Sequence, residues 1–476
     1  MKALFPQTTI LIALFLSTFF TCAAAAGTNR QVGIGQTYAT IQACLDAAVA
    51  GDTCNVHAGT YNENPTFKSS GVTLKANPGD QPTINGYIEI GTNANSTVDG
   101  FTIPSFSHSG SGAIHANNTT GVVIRNNTIS NGTGAGIYTR LCTNSQIYGN
   151  TVHDLQGTSG SDGDGMFIIS SDSTDGTYPH GVQIYNNTVY QNHQDAIGIN
   201  GNWMSVYGNI VHDNIYSNWQ SVHPDGIECN GIADGNTGCI HTLVYGNTVY
   251  NQTQNIYFQG NGTAAQNEDI WIFNNVVFNT ASSSTGVAMA GATTAQIILG
   301  VGQYAYIFNN TIGGPCQYFS ILLGDGSGAN NGAQAFTNVT IENNIITGAL
   351  YYGVWTYPSS NVIAMDYNLY YGNATIVRWG TASYTTLAGL QSATGMETHG
   401  QSSNPLLNAF PTPTLQSGSP AIGAGTNLTS LGVSQLDSDL TGASRPSSGA
   451  WDLGAYEYEA SAGKPAPPTN LTAVVN

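Results

Sequence analysis

Short runs in which apolar and polar residues alternate recur along most of the chain. Each run leads into Asn-Asn or Gly-Asn and then into a pair that is mostly β-branched. An alternation with a period of two is typical of strands with one buried face, and helical periodicity is scarce. Eight copies of the phrase end at Ile129, Val152, Val189, Val211, Val249, Val277, Ile312 and Ile346. Such self-similarity predicts a solenoid built from strands.

The spacing of the copies indicates what each coil contains. It ranges from 22 residues, between Val189 and Val211, to 38 residues, between Val211 and Val249. Each coil therefore holds a common minimum of about 22 residues plus loops of variable length. Asn tolerates a left-handed backbone and can hydrogen-bond to its counterpart one coil away. We therefore expect a single Asn in each copy to provide both the sharp turn and an inter-coil ladder.

Composition and charge exclude several classes of protein. Charged residues are only 8% of the chain, which excludes a long charged helix or coiled coil, and the 58 glycines have no collagen period. The formal net charge of -18 makes nucleic acid a poor partner, because phosphate binding needs clustered Lys and Arg. A polyanionic substrate would need bridging cations.

The first residues are typical of an export signal. Lys2 precedes an apolar run at residues 10–20 and the small residues 23–26, so we expect cleavage after residue 26 and a secreted or cell-surface protein. No later segment has the length of a membrane span. In an oxidising compartment Cys44 is expected to pair with Cys54 and Cys229 with Cys239, whereas Cys142 and Cys316 are expected to remain buried thiols.

The repeat phrase resembles the right-handed parallel β-helix of the pectate lyase-like superfamily over residues 31–371. The opening GIGQTYATIQACLDAAVAGDTCNVHAGTY is similar to the entry segment of that family, in which a short helix, here residues 41–49, covers the end of the coil. The tail, NPLLNAFPTPTLQSGSPAIGAGT with RPSSGAWDLGAYEY, is similar to the closing segment of surface-associated β-helix proteins with varied C-terminal anchors. The resemblance implies an all-β solenoid with an N-terminal capping helix.

Four segments follow from this reading. They are a signal peptide at 1–26, the β-helix with its cap at 27–400, a closing segment at 401–459, and a Pro-rich linker with the truncated start of a fibronectin-type module at 460–476. The last segment leaves room for an anchor or a further module in a longer parent chain. We expect the mature protein to be a monomer.

Five strands that precede repeat phrases can be aligned, and each aligned position forms a column because side chains alternate between faces. The strands are GIYTRL, GMFIIS, AIGINGN, GIECNG and NIYFQG. The columns expected to face inward are Ile137, Met166, Ile197, Ile227, Ile256 and Thr139, Ile168, Ile199, Cys229, Phe258. The outward columns are Tyr138, Phe167, Gly198, Glu228, Tyr257 and Arg140, Ile169, Asn200, Asn230, Gln259. Aromatic and amide side chains suit sugar rings, which makes Tyr138, Phe167, Asn200, Asn230, Tyr257 and Gln259 candidate substrate-binding residues.

Asp164, Asp195 and Asp225 precede three of these strands at the same offset. Neighbouring coils lie ~4.8 Å apart, and carboxylates that close cannot all ionise cheaply. One of them then keeps a proton and can serve as an acid, or a cation such as calcium lies among the three. With Glu228 on the outward column, these are the candidate catalytic carboxylates. The alternative is that each aspartate caps its own turn.

Further polar and aromatic residues flank this stack. His193 and His223 each precede an aspartate by two residues, which places an imidazole where it could orient a general base or bind a transition metal. Polar packing of the loops is favoured over a metal site. Arg140 is the basic residue within the aligned strands. Trp203 and Trp219 lie in flanking loops, where they either line a saccharide groove or pack on the scaffold.

Lyases of the superfamily act on acidic polysaccharides with a Lys or Arg base beside calcium, and its galacturonan hydrolases use aspartates on adjacent coils. The hydrolase motifs Asn-Thr-Asp, Asp-Asp, Gly-His-Gly and Arg-Ile-Lys and the epimerase motif Asp-Pro-His-Asp do not occur intact here. Carboxylates outnumber basic groups, so we expect hydrolysis of glycosidic bonds in a polysaccharide, with no cofactor required. The alternatives are a calcium-dependent lyase with Arg140 as base and a non-catalytic glycan-binding or surface structural protein.

Overall fold

The structure is a computed structural model that describes residues 27–157, 163–171, 181–214, 224–229, 238–259, 267–280, 295–314, 318–324, 335–358 and 360–458. Within these residues the chain winds into a parallel β-helix, because strands one coil apart pair side by side along the whole cylinder. Each full coil passes through three faces in turn, which we call sheets C, A and B.

The strands group by face as follows. Sheet A contains Asn29–Val32, Thr53–Val56, Thr73–Ala76, Thr97–Asp99, Val123–Arg125, Gln146–Tyr148, Gln183–Tyr185, Ser205–Tyr207, Cys239–Tyr245, Asn267–Phe273, Gly302–Phe308, Phe336–Glu342 and Val362–Asp366. Sheet B contains Thr60–Tyr61, Thr83–Asn85, Thr102–Ser105, Thr128–Ser130, Thr151–His153, Thr188–Tyr190, Ile210–His212, Thr248–Tyr250, Val276–Phe278, Thr311–Gly313, Ile345–Thr347 and Leu369–Tyr371. Sheet C contains Ile88–Gly91, Ser107–Asn117, Thr133–Cys142, Met166–Ser170, Ile197–Asn202, Asp225–Cys229, Gln254–Phe258, Ala295–Leu299, Phe319–Leu323, Tyr352–Thr356 and Thr375–Trp379, with Ala382–Tyr384 antiparallel at its end.

Each repeat phrase crosses from sheet A to sheet B. The residues that end successive phrases pair with one another in register, from Ile129 with Val152 to Ile312 with Ile346. All of them are fully buried. The predicted strand solenoid and the alignment of its repeats are therefore confirmed.

The turn between sheets A and B uses two neighbouring residues for two different tasks. The first position has a left-handed backbone and is Asn or Gly, as at Asn186 (φ 53°) and Gly208 (φ 64°). The second position is a buried Asn that forms the ladder, as at Asn187 and Asn209. The expectation that one Asn provides both turn and ladder is wrong, because the left-handed residue is not the one that forms the ladder. Its side chain is exposed at Asn186, and at Asn274 and Asn309 it binds the C-terminal segment.

The asparagine ladder runs along the inside of this corner. In each step the Asn side-chain nitrogen and backbone N–H both donate to the Oδ1 of the next Asn, at 2.9–3.1 Å. Its members are Asn127, Asn150, Asn187, Asn209, Asn247, Asn275, Asn310, Asn344 and Asn368. The ladder satisfies buried backbone groups that would otherwise lose their partners at every corner.

Glu397 ends the ladder. Its Oε1 accepts from Asn368 Nδ2 at 2.8 Å and from the Tyr370 hydroxyl at 2.6 Å, and its side chain is fully buried. Burial raises the pKa of Glu397 to about 7, although the hydrogen bonds from Tyr370 and Asn368 act to lower it. The carboxyl group is therefore hardest to accommodate when it is ionised.

This burial predicts a pH dependence of stability. The pKa of Glu397 is higher in the folded state than in the unfolded state, where it is about 4.3. The contribution of Glu397 to stability is therefore complete below about pH 4.3 and is lost as the pH rises through about 7. The free energy of unfolding should fall by about 3 kcal/mol over that interval. Denaturant unfolding at about pH 5 and about pH 8 tests this. The Glu397→Gln variant should lose this part of the dependence, and an unchanged pH profile in that variant would contradict the assignment.

The interior of the cylinder is one continuous apolar core, and its N-terminal end is covered by the helix Ile41–Ala47. Thr40 caps this helix by accepting a hydrogen bond from the Ala43 N–H, and Ile41 and Leu45 are buried against the first coils. A disulfide joins Cys44 to Cys54, and a second joins Cys229 to Cys239. Both predicted pairs are confirmed.

The remaining cysteines and the far end of the cylinder complete the fold. Cys142 is a buried free thiol, as predicted, whereas Cys316 lies outside the described residues. At the C-terminal end, the strand Thr375–Trp379 is followed by the hairpin strand Ala382–Tyr384 and the helix Leu387–Thr394. Both α-helices of the described residues are short, and neither has the length and apolarity needed to cross a bilayer.

The segment after the last helix returns along the side of the cylinder. It contains the short 3₁₀ helices Thr429–Leu431 and Ser434–Asp437. Buried Arg445 donates to the side chain of Asn274, and the Ala455 N–H donates to Thr311. The segment therefore packs on the outer surface of sheets A and B, which leaves the outer surface of sheet C for other contacts.

Candidate functional site

The corner where the chain enters sheet C explains why aspartates face outward there. Asp225 lies two residues before the inward Ile227, so strict alternation would direct it inward. Gly226 also faces the core, because a Cβ there would lie 2.6 Å from Val249 Cγ1 and 2.4 Å from Asn255 O. With two successive residues facing inward, Asp225 is left on the outer side of the strand. Gly165 and Ala196 occupy the same corner position beside Asp164 and Asp195.

The backbone ladder keeps these aspartates in register. The Gly165 N–H donates to Asp195 O at 2.8 Å, and the Ala196 N–H donates to Asp225 O at 2.8 Å. Oxygen atoms of Asp195, Asp225 and Glu228 all lie within 4.8 Å of one another. The structure therefore brings these three predicted residues together, and Asp164 lies one coil further along.

Hydrogen bonds fix the orientation of the cluster. Asp195 Oδ1 accepts from the backbone N–H of Asp225 at 2.9 Å, so this carboxylate binds the next coil rather than its own turn. With its amide nitrogen directed at the cluster, Gln254 donates to both oxygens of Asp225 at 3.1 and 3.2 Å. Gln254 occupies the aspartate position of the next coil and was not identified from the sequence, because its column was read only for carboxylates.

Glu228 has the most perturbed electrostatic environment of the cluster. It is 3% exposed, and burial raises its pKa well above the ordinary value of a glutamate. The neighbouring charge of Asp195, a hydrogen bond to Asp195, and the charges of Asp225 and Asp164 raise the pKa further. Asp195 is the partly exposed member of the cluster, whereas Asp225 is fully buried. The arrangement therefore places a buried glutamate with a raised pKa beside an aspartate that solvent can reach.

The aligned columns of sheet C are largely confirmed. Tyr138, Phe167, Gly198, Glu228 and Tyr257 pair in register. Gly198, in the coil next to Glu228, has no side chain in this column. The Phe167 ring lies across Gly198, because a Cβ at Gly198 would be 2.8 Å from Phe167 Cδ2. Tyr138 stacks on Phe167 with ring centroids 5.6 Å apart. Both inward columns are also in register and buried.

The second outward column departs from the prediction. Arg140 pairs with Asn117, and the register shifts between Thr139 and Cys142, so Arg140 and Leu141 together lie opposite the single residue Ile169. The Leu141 backbone is left-handed at this irregularity. Arg140 belongs to the coil of Tyr138, three ladder steps from Glu228 (138 to 167, 198 and 228), or about 14 Å along the axis. Asn200 is fully buried, whereas Gln259 is partly exposed.

The predicted flanking residues lie in several places. Trp203 is 8% exposed and stacks on His241 with centroids 4.2 Å apart, so it packs on the scaffold rather than lining a groove. His193 Nδ1 is buried and has no hydrogen-bond partner among the described residues. The predicted residues His223, Trp219 and Asn230 lie outside the described residues.

Sheet C carries further side chains that the sequence alignment did not reach. The column of Glu228 and Tyr257 continues through Ile298, Leu322, Trp355 and Arg378. The sequence pieces that hold the last two, GVWTY and TIVRW, have the same strand pattern as the aligned five. Extending the alignment by four coils would have placed Arg378 on this face.

Comparisons with known proteins agree with this architecture. A protein-family model described as a right handed beta helix region matches residues 85–174. The chain is similar to the A-module of mannuronan C-5 epimerase AlgE6 from Azotobacter vinelandii, with 15% identity, a TM-score of 0.52, and coverage of 77% of this chain and 94% of that module. It is also similar to pectate lyase Pel9A, with 13% identity, a TM-score of 0.43, and coverage of 91% of this chain and 98% of the lyase. No curated protein matches the sequence. The family match and the epimerase module confirm the right-handed parallel β-helix expected from the resemblance to the pectate lyase-like superfamily.

Proposed function

We propose that the protein is a polysaccharide-cleaving enzyme in which the acid cluster of Asp195, Asp225 and Glu228 hydrolyses a glycosidic bond. The observation that carries this proposal is a buried Glu228 whose pKa is raised well above its ordinary value, next to the partly exposed Asp195. An acid that keeps its proton beside an ionised carboxylate is the pair that glycoside hydrolysis requires.

In the proposed mechanism each carboxyl group has its own role. Glu228 donates its proton to the leaving glycosidic oxygen while Asp195 attacks the anomeric carbon, and a water deprotonated by Glu228 then releases the sugar. The oxygens lie within 4.8 Å of one another, which is less than the ~6.5–9.5 Å needed to hold a water between the two carboxyl groups, so we propose the route through a covalent intermediate. Asp225, held by Gln254, adds the charge that helps keep Glu228 protonated.

A calcium-dependent lyase acting on a uronic-acid polymer is the second candidate, favoured by the same cluster. Oxygens that share a calcium ion at 2.3–2.6 Å lie at most about 5.2 Å apart, so Asp195, Asp225 and Glu228 fit the ion. Bound calcium would neutralise the carboxylate of an acidic sugar. Arg140, the base expected for this candidate, lies three coils from Glu228, so this candidate is the weaker of the two.

The expected site of action is outside the cell. Two disulfides fit an oxidising compartment, and residues 1–26 have the pattern of an export signal, although they lie outside the described residues. A secreted β-helix with an outward acid cluster is suited to a polymer too large to enter a closed pocket.

Release of reducing ends from a panel of neutral and acidic glycans tests the proposal. We expect activity on at least one glycan, and a loss of about a hundredfold or more in Asp195→Asn and in Asp225→Asn. Asp154→Asn is the control, because this carboxylate pairs with His153 on sheet B. Unchanged activity in both cluster variants would overturn the proposal. Ultraviolet absorbance from an unsaturated product, together with inhibition by a chelator, would favour the lyase, and binding without turnover would favour a non-catalytic glycan-binding protein.

A further inference from the structure

The end of sheet C beyond the acid cluster carries an aromatic surface. Phe319 stacks on Tyr352 with ring centroids 5.7 Å apart. The ring centroid of Trp355 lies 4.8 Å from that of Phe319 and 4.7 Å from that of Tyr357. These rings belong to an apolar cluster that is separate from the interior core. Tyr352, Trp355 and Tyr357 are partly exposed, and Tyr351 beside them is 52% exposed. Partly exposed rings of this kind suit stacking against the apolar face of a sugar.

Arg378 lies on this aromatic surface in a fixed orientation. Its Nη1 donates to the Tyr352 hydroxyl at 2.7 Å, and its Nε donates to Gly380 O at 3.2 Å. The guanidinium carbon lies 5.3 Å from the Tyr352 ring centroid and 5.4 Å from that of Trp355. Within the part of the chain that the structure describes, these contacts use two of the five guanidinium N–H groups, and Nη2 has no hydrogen-bond partner there.

The charge of Arg378 also distinguishes it from other arginines of the fold. Arg30 pairs with Asp52, Arg125 with Asp99, and Arg445 with Glu457. Within the described ranges, Arg378 has no carboxylate at ion-pair distance. In a chain with a net charge of -18, an oriented guanidinium without a carboxylate partner is a specific attraction for an anion.

We propose that Arg378, Tyr352 and Trp355 form a subsite that binds a carboxylate-bearing sugar of a polyuronate chain. The planar guanidinium matches a carboxylate through paired hydrogen bonds, and the adjacent rings supply the stacking surface. This inference rests on the proposed function, because it assumes that the same polymer is cleaved at the acid cluster and bound at the Arg378 subsite.

The two sites share one face of the solenoid. From Glu228 to Arg378 the column takes five ladder steps (228 to 257, 298, 322, 355 and 378), which is about 24 Å. Ile298 and Leu322 between them are buried, so the subsite is an anchoring point at a distance from the bond that is cleaved. Loss of the subsite should therefore raise KM for a long polymer and leave kcat unchanged.

The test measures binding of two oligosaccharide series, oligogalacturonates and oligomers of alginate, together with their methyl esters. Titration calorimetry on the full chain carrying Glu228→Gln prevents turnover during the measurement. We expect at least one acidic series to bind, and its methyl ester to bind more weakly. Arg378→Gln should weaken binding of the acid by about ten- to a hundredfold and leave binding of the ester unchanged. It should also reduce the salt dependence of binding.

Arg125→Gln is the matched control. Arg125 also donates to a tyrosine hydroxyl at 2.7 Å and lies 5.8 Å from that ring, but it faces sheet A and is paired with Asp99. The same charge change there should not alter binding, and Arg378→Lys, which keeps the charge, should bind more tightly than Arg378→Gln.

The outcomes separate the subsite from the proposed function. Three results would overturn the subsite: equal binding of acid and ester, equal losses of affinity in Arg378→Gln and Arg125→Gln, or no binding of either acidic series. Each would do so even if Asp225→Asn abolishes cleavage of some other glycan. Selective loss of acid binding in Arg378→Gln would uphold the subsite even if no glycan is cleaved, and in that case the proposed hydrolysis alone would fail.

Discussion

Glu228→Gln is expected to lower kcat on the cleaved glycan by about a thousandfold, because a positioned acid contributes ~10²–10⁴-fold to such reactions. Glutamine keeps the volume and polarity of the side chain but has no proton to donate to the leaving oxygen. Burial and three neighbouring carboxylates raise the pKa of Glu228, so the wild-type enzyme should retain the active, protonated form to a higher pH than an ordinary glutamate would allow. Activity should then fall as the pH rises through that raised pKa.

Glu342→Gln is the matched control for this variant. Glu342 is a sheet A carboxylate whose pKa is also raised by burial and by Asp366, but it lies away from the acid cluster. Its substitution should leave kcat and the pH profile unchanged. Measurement of kcat across the pH range for the three proteins tests the assignment. A Glu228→Gln variant with wild-type kcat, or with the alkaline limb intact, would show that another group supplies the proton.

Asn187→Ala is expected to lower the free energy of unfolding by roughly 4 kcal/mol. The Asn187 side chain makes four hydrogen bonds: Oδ1 accepts from Asn150 N and Nδ2, and Nδ2 donates to Asn209 Oδ1 and Ile147 O, all at 3.0 Å. The site is buried, so water cannot replace the lost partners. Thermal and denaturant unfolding followed by circular dichroism should show a large fall in both midpoints.

The adjacent Asn186 provides the control. Its backbone is left-handed and its side chain is exposed, and Gly208 and Gly246 occupy the same position in the following coils. Asn186→Gly should therefore change stability by no more than about 0.5 kcal/mol. Equal losses in the two variants would show that the turn, and not the ladder, determines the stability of the corner.

The repeat pattern in the sequence was sufficient for the fold, because the same phrase marks the same corner in every coil. Pairing of Ile129 with Val152, and of later phrase ends with one another, follows from that alignment. The close approach of Asp195, Asp225 and Glu228 could also be anticipated, since equal offsets in a solenoid become neighbouring positions in space.

Other features depend on local departures from regularity that the sequence pattern does not reveal. The irregularity at Leu141 interrupts the regular pairing beside Arg140. The packing of Trp203 on His241 depends on a contact between residues 38 positions apart in the chain. The roles of Asn186 and Asn187 were not separated, although the sequence holds a signal for it: Gly replaces the first Asn at Gly208 and Gly246, and Gly is favoured where the backbone is left-handed.

The residue that ends the asparagine ladder has a consequence for association between molecules. Every amide in the ladder passes an N–H to the following coil, so the open end of such an array could in principle recruit another copy of the chain. Glu397 receives the last N–H from Asn368, and its carboxyl group has no amide hydrogen to hand on. The ladder thus ends in a buried acceptor of the same chain, which leaves no amide donor of the ladder at this end for a second copy to pair with.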